Sequence, residues 1–176
     1  MTITYAPGQS PDDAARALAE MRARLGNLQP VLTVQAESIR KLIDDSFRSS
    51  RAPDGSAWLP NAASTVARKG SAKPGIDTSL TRNSVTSVAG RNDITFGSNA
   101  PAASYLHNGT TRSGSLKNAS SKPKRAKGTA FKVVVVARKF LPFQIDGTLI
   151  TIGPAGKVFD RLARAVGTYV VTGKIT

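Results

Sequence analysis

"SVTSVAGRNDITFGS", Ser84–Ser98, is where the chain stops reading as helix. Val85, Thr86 and Val88, then Ile94, Thr95 and Phe96, are strand formers, and "GRND" between them supplies turn chemistry. The segment predicts a β-hairpin. Val85 and Val88 fall out of strict alternation, which admits a bulge or a register shift.

Upstream of the hairpin the period is helical. Ser10 can cap a first helix, Pro11 suits its first position, and Asp12 and Asp13 favour the positive end of the dipole. Ala14, Leu18, Met21 and Leu25 give it one apolar face, and Gly26 offers a left-handed stop. After Pro30, Leu32, Ala36, Ile39, Ile43 and Phe47 line one face of a second helix. That stripe reads as core; the other reading is a surface for a neighbouring subunit. A single helix bent between Gly26 and Pro30 would also fit. "RAPDGSAWLP", Arg51–Pro60, then breaks the pattern with Pro53, Asp54 and Gly55, all turn residues. Trp58, the only tryptophan, reads as a core anchor or an interface anchor. A short helix is expected from about Ala62 to Lys69, followed by the basic connection "KGSAKPG".

Downstream, "AFKVVVVARKF", Ala130–Phe140, is the strongest strand candidate, with Val133 to Val136 unbroken. "TLITIG", Thr148–Gly153, reads as a shorter strand beyond a turn at Asp146 and Gly147. A helix is expected from about Ala155 to Val166, with Phe159, Leu162 and Val166 on one face. "TYVVTGKI", Thr168–Ile175, reads as a terminal strand. Between Thr111 and Thr129 the chain is rich in Ser, Gly, Lys and Arg, and reads as a long loop or an extended hairpin tip. The resulting class is α+β: N-terminal helices packed on an antiparallel β-sheet, with a long basic loop or hairpin and a C-terminal helix. The 176 residues are expected to form a single domain, 1–176: a helical part at 1–50, a strand-rich core at 51–153 carrying basic loop 111–129, and a C-terminal helix and strand at 154–176.

Composition narrows the chemistry. Without cysteine there is no disulfide, no thiolate catalysis and no Cys-based zinc site. No apolar run approaches the ~18 residues of a membrane span. The N-terminus lacks the basic and apolar regions of a signal peptide, so none is expected. The net charge is +14, but residues 1–50 balance at six acids and six bases. Residues 51–140 carry fifteen bases against three acids. A basic middle predicts an anionic partner: nucleic acid, an acidic protein surface or a membrane face.

His107 is the only histidine, within "SNAPAASYLHNGTTR". It could serve a Ser-His-Asp arrangement, but no G-x-S-x-G elbow is present. "GSNAPAAS" lacks the G-K-[ST] of a phosphate loop. Asp54, Asp77 and Asp93 stand in separate turns without a second acid nearby. No catalytic set, cofactor site or metal site is therefore expected. His107 reads as a structural hydrogen-bonding residue in a fixed turn, with Tyr105 and Leu106 packing and Gly109 permitting the bend.

Four segments carry a resemblance, in order. "PDGSAWLP" is similar to the proline-aspartate-glycine…tryptophan segment of the phage virion morphogenesis family, also described as tail-completion proteins. "IDTSLTRNSV" resembles its D-T-G-x-L-x-x-S stretch, with Ser79 where the family usually has glycine. "FGSNAPAASYLHNGT" resembles its glycine-serine-asparagine…histidine-x-glycine segment. "VARKFLPF" resembles its arginine-x-phenylalanine-leucine motif. The matches run from about Phe47 to Phe143 and mark Pro53, Asp54, Gly55, Trp58, Leu80, Tyr105, His107, Gly109, Arg138, Phe140 and Leu141 as motif positions. The resemblance implies a non-enzymatic structural protein of a tailed phage. Such proteins are ring-forming components of the head–tail neck, most often hexamers, between the head connector and the tail terminator or tube. It further implies an α+β fold, no cofactor, no membrane partner, and a place in the virion neck after assembly in the host cytoplasm.

Arg112, Lys117, Lys122, Lys124, Arg125 and Lys127 make a basic segment without an acid. It could be merely solvated, dock on an acidic face of a neighbouring neck protein, or touch the packaged genome non-specifically. The segment has no aromatic residue on which bases could stack, and DNA must slide through a neck. Protein docking is therefore the favoured reading, with a stand-alone basic nucleic-acid-binding protein as the alternative.

Overall fold

The structure is a computed structural model that describes residues 6, 8, 10–75, 79–115, 120–121, 124–125, 130–144 and 147–175. Its elements run α1 (Pro11–Leu25), α2 (Gln29–Ser49), α3 (Ala63–Lys69), α4 (Leu80–Asn83), β1 (Val85–Ala89), β2 (Ile94–Ser98), α5 (Ala103–Asn108), β3 (Thr110–Ser115), β4 (Ser120–Ser121), β5 (Lys124–Arg125), β6 (Ala130–Val135) and α6 (Gly153–Thr172). The α+β class stands. Among the described residues its strands form three two-stranded antiparallel ribbons: β1–β2, β3–β6 and β4–β5.

Helix α2 organises the core. Its predicted stripe is buried throughout, together with Val31, Leu42 and Gln35. At its C-terminal half, Ile39, Ile43 and Phe47 pack with Trp58, Val85, Phe140 and Leu141. At its N-terminal half, Val31 and Leu32 meet Ala165 of α6, flanked by Leu162, Val166 and Tyr169. The α2–α6 pair is thus the spine, with β1–β2 laid across α2.

The hairpin pairs without a bulge. Val85 lies opposite Ser98 and Ala89 opposite Ile94, with every intervening residue matched. Val85 and Val88 simply lie on opposite faces: Val85 is 3% exposed and Val88 65%.

Several expectations are corrected. Gly26 is not a left-handed stop; it is right-handed (φ −69°), and the chain turns through Asn27 and Leu28 into a separate α2. The apolar face of α1 stays open: none of its residues is buried. "TYVVTGKI" is not a strand, because α6 continues to Thr172. Packing of Leu162, Ala165, Val166 and Tyr169 at helical spacing on α2 outweighs the strand preference of Val170 and Val171. "TLITIG" makes only a single bridge, Leu149 to Phe143, and no strand among the described residues. Tyr105, expected to pack, is 59% exposed, and the motif position Leu80 is 70% exposed. Leu80 opens the short helix α4 facing solvent. Ala103 and His107, four apart on α5, take the inward face and turn Tyr105 outward.

Candidate functional site

Three of the four family-like segments meet around Phe140, which is fully buried. Its ring packs on Phe47 (5.1 Å between centroids) and edge-on to His107 (5.2 Å). Phe47 in turn meets Trp58 edge-on at 5.4 Å. Polar groups lock the same contacts. The Trp58 indole N–H donates to the Lys139 carbonyl at 3.0 Å. The Phe140 amide donates to His107 Nδ1 at 3.2 Å. His107 Nδ1 is therefore an acceptor, and its Nε2–H donates to the Phe143 carbonyl at 3.2 Å. Both ring nitrogens are occupied by backbone. Burial pushes the imidazole pKa down; the Phe143 carbonyl opposes this and Lys139 adds to it. A neutral histidine with both nitrogens engaged is a brace. No group of carboxylates or imidazoles among the described residues could hold a metal ion.

Arg138 completes the knot. Its amide donates to the Leu106 carbonyl at 2.7 Å. Its Nη2 donates to the Leu59 carbonyl and to Asn61 Oδ1, both at 3.2 Å. The Pro53–Trp58 turn is built beside it: Asp54 Oδ1 accepts from the Ser56 amide at 2.8 Å, and Gly55 takes φ +94°. Pro53 is fully buried, and its carbonyl accepts from the Ala155 amide at 2.9 Å, which seats the start of α6. Leu141 is buried in the same core. The fourth segment is described only from Ser79 onward, so Asp77 lies outside the described residues. Ser79 itself has φ +61°, a left-handed backbone that explains why glycine suits the position.

The knot fixes the root of a projecting arm. At Gly109 (φ +70°) a Cβ would meet the Ala137 amide nitrogen and the Val135 carbonyl at 2.8 Å, so glycine lets the two strands close there. Strands β3 and β6 then pair from Thr110–Val135 to Ser115–Ala130. Strands β4 and β5 continue the same register, with Ser120 opposite Arg125 and Ser121 opposite Lys124. The described parts of the basic segment thus pair as a hairpin, and β3 and β6 pack on each other far more than on any other element among the described residues. Arg112 and Lys132 are exposed on it. Lys124 and Arg125 form β5; Lys117, Lys122 and Lys127 lie outside the described residues. No acid occurs between Asp93 and Asp146, a span that carries nine bases.

The buried motif residues of three segments and the described basic residues of the hairpin therefore belong to one device, a clamp and the arm it holds. Sequence spacing marked most of the clamp, and the helical stripe marked Phe47 as core, but Phe143 was missed; it is an aromatic residue at the end of the matched region, which was the available signal.

Among the described residues no helix is long and apolar enough to cross a membrane. Neither a curated protein sequence nor a solved structure matches the chain significantly. A family profile does match, over residues 11–157, from the first residue of α1 into α6. By that match, this chain belongs to the phage virion morphogenesis family and has a structural, assembly role in the phage virion.

Proposed function

We propose that the chain is a tail-completion protein of the head–tail neck, closing as a ring, six-fold in the family's usual form, between the head connector and the tail terminator or tube. The whole chain, 1–176, acts as one unit in this reading, made in the host cytoplasm and carried in the finished virion. One observation carries it: an acid-free basic hairpin rooted in the clamp, whose described strands have little but each other to pack on among the described residues. Such an arm suits an acidic face of a neighbouring neck or tail protein, and charge of this kind speeds and orients docking. Electron microscopy of virions lacking the protein is the test. Filled heads and free tails that fail to join are expected; normally joined particles would sink the reading.

The same arm also favours a second reading, binding to nucleic acid with occasional contact to packaged DNA. Phosphate contacts make affinity fall steeply with salt. A DNA titration across salt concentrations separates the two: submicromolar binding near physiological salt supports the second reading, and its absence removes it.

A further inference from the structure

Helix α1 is well made yet nearly unsupported. Ser10 caps it through the Asp13 amide, and Asp13–Arg16 and Glu20–Arg24 ion pairs run along it. Its links to the body lie at its C-terminal end. There Arg24 donates to the Val170 and Val171 carbonyls at 3.1 and 3.0 Å, where α6 terminates. Ala14, Leu18 and Leu25 share one face, and Leu18 and Leu25 are 65% and 55% exposed. A 15-residue helix is marginal in water and gains its stability from packing its apolar face. Met21 on the same face is half-buried, but the rest of the face lacks that packing among the described residues.

A fitting receptor lies at the other end of α6. A groove between α2 and α6 has Leu42 and Val158 in its walls and Lys41, Lys157 and Arg161 around it; Asp45 is its only acid. Residues 11–20 of α1 carry Asp12, Asp13 and Glu20 against the single base Arg16. Apolar stripe meets apolar wall, and a net negative segment meets a net positive rim, the helix-in-groove mode of recognition. The tether of α1 at Val170–Val171 and the groove at Lys157–Arg161 are separated by roughly 15–20 Å along α6. Donor and acceptor are different surfaces, so the contact can repeat head-to-tail from copy to copy, the arrangement that closes rings; a reciprocal pair of copies would instead stop at a dimer.

We propose that α1 of one copy docks into the α2–α6 groove of the next, forming the subunit contact of the ring. This rests on the ring reading above and specifies its interface. The absence of cysteine allows a clean cross-linking test. Ala15→Cys with Lys157→Cys, treated with a short bis-maleimide in purified protein and in assembled particles, is expected to give a ladder of multimers. Each single variant should stop at a dimer. In parallel, Leu18→Asp with Leu25→Asp is expected to weaken self-association roughly tenfold or more by sedimentation, with unchanged helical circular dichroism. Three results would overturn the proposal: a cross-link confined to single chains, no ladder in assembled particles, or undiminished assembly of the Leu18/Leu25 variant. Neck rings that persist in virions of that variant would leave the ring reading standing without this interface. Absence of the protein from wild-type virions would remove the neck reading, while the ladder of the purified protein would still decide the contact.

Discussion

His107 shows how one side chain can look catalytic in sequence and be structural in space. It is 4% exposed and bonded through both nitrogens to the backbone of the Phe140–Phe143 segment. Burial lowers its pKa below the ordinary 6.5, so the unfolded chain binds the extra proton first. Stability from this group is therefore complete above about pH 6.5 and is lost as pH falls from there through the lower folded value. A melting temperature that drops below pH 6.5, before the carboxylates titrate, is expected. His107→Ala should remove that dependence and cost about 2–4 kcal/mol, because it leaves a cavity and two unpaired backbone groups. A flat profile in the wild type between pH 5 and 7 would contradict this. Ser79 makes the opposite case. A left-handed backbone costs a residue with a Cβ about 1–2 kcal/mol. Ser79→Gly is expected to stabilise by roughly 0.5–1 kcal/mol in denaturant titrations, after the entropic cost of glycine.

Elements were legible where one period dominated. The stripe from Leu32 to Phe47 names the buried face of α2 outright, and "GRND" between two β-rich runs names the β1–β2 hairpin. Reading failed where local preference and tertiary packing disagreed. "TYVV" prefers a strand, yet Tyr169 reaches α2 only if the helix continues past Val166. The exposed stripe of α1 repeats the pattern of a core helix, and nothing local reveals that it stays open. The clamp could be marked by its motifs, but its bonds join residues some 30 to 80 positions apart, such as Trp58 to Lys139, and spacing along the chain carries no such information. One substitution tests the disputed element directly. Val171 is exposed near the end of α6. In a helix, Val171→Ala should stabilise by about 0.5 kcal/mol; in a strand it would destabilise. Thermal unfolding distinguishes the signs.

At the scale of the whole molecule, charge is partitioned by position. The acids concentrate on α1 and α2, where Arg82 bonds Asp44 and holds its carboxyl below the usual range, and Arg48 reaches the same carboxylate at 2.6 Å. The bases dominate the arm. A field this uneven adds little to folding but strongly biases encounters with an oppositely charged partner. Reversing the arm's charge should therefore separate stability from joining. Arg112→Glu, Lys124→Glu and Arg125→Glu together are expected to leave the unfolding free energy within about 1 kcal/mol of wild type. The same variant should lower the yield of joined virions in a complementation assay by roughly tenfold or more, as expected when steering charges turn repulsive. Raising salt during in vitro joining of wild-type components should slow the reaction in the same direction. If the triple variant joins heads to tails as well as wild type does, the arm is a solvated extension, and docking must be carried by another face of the molecule.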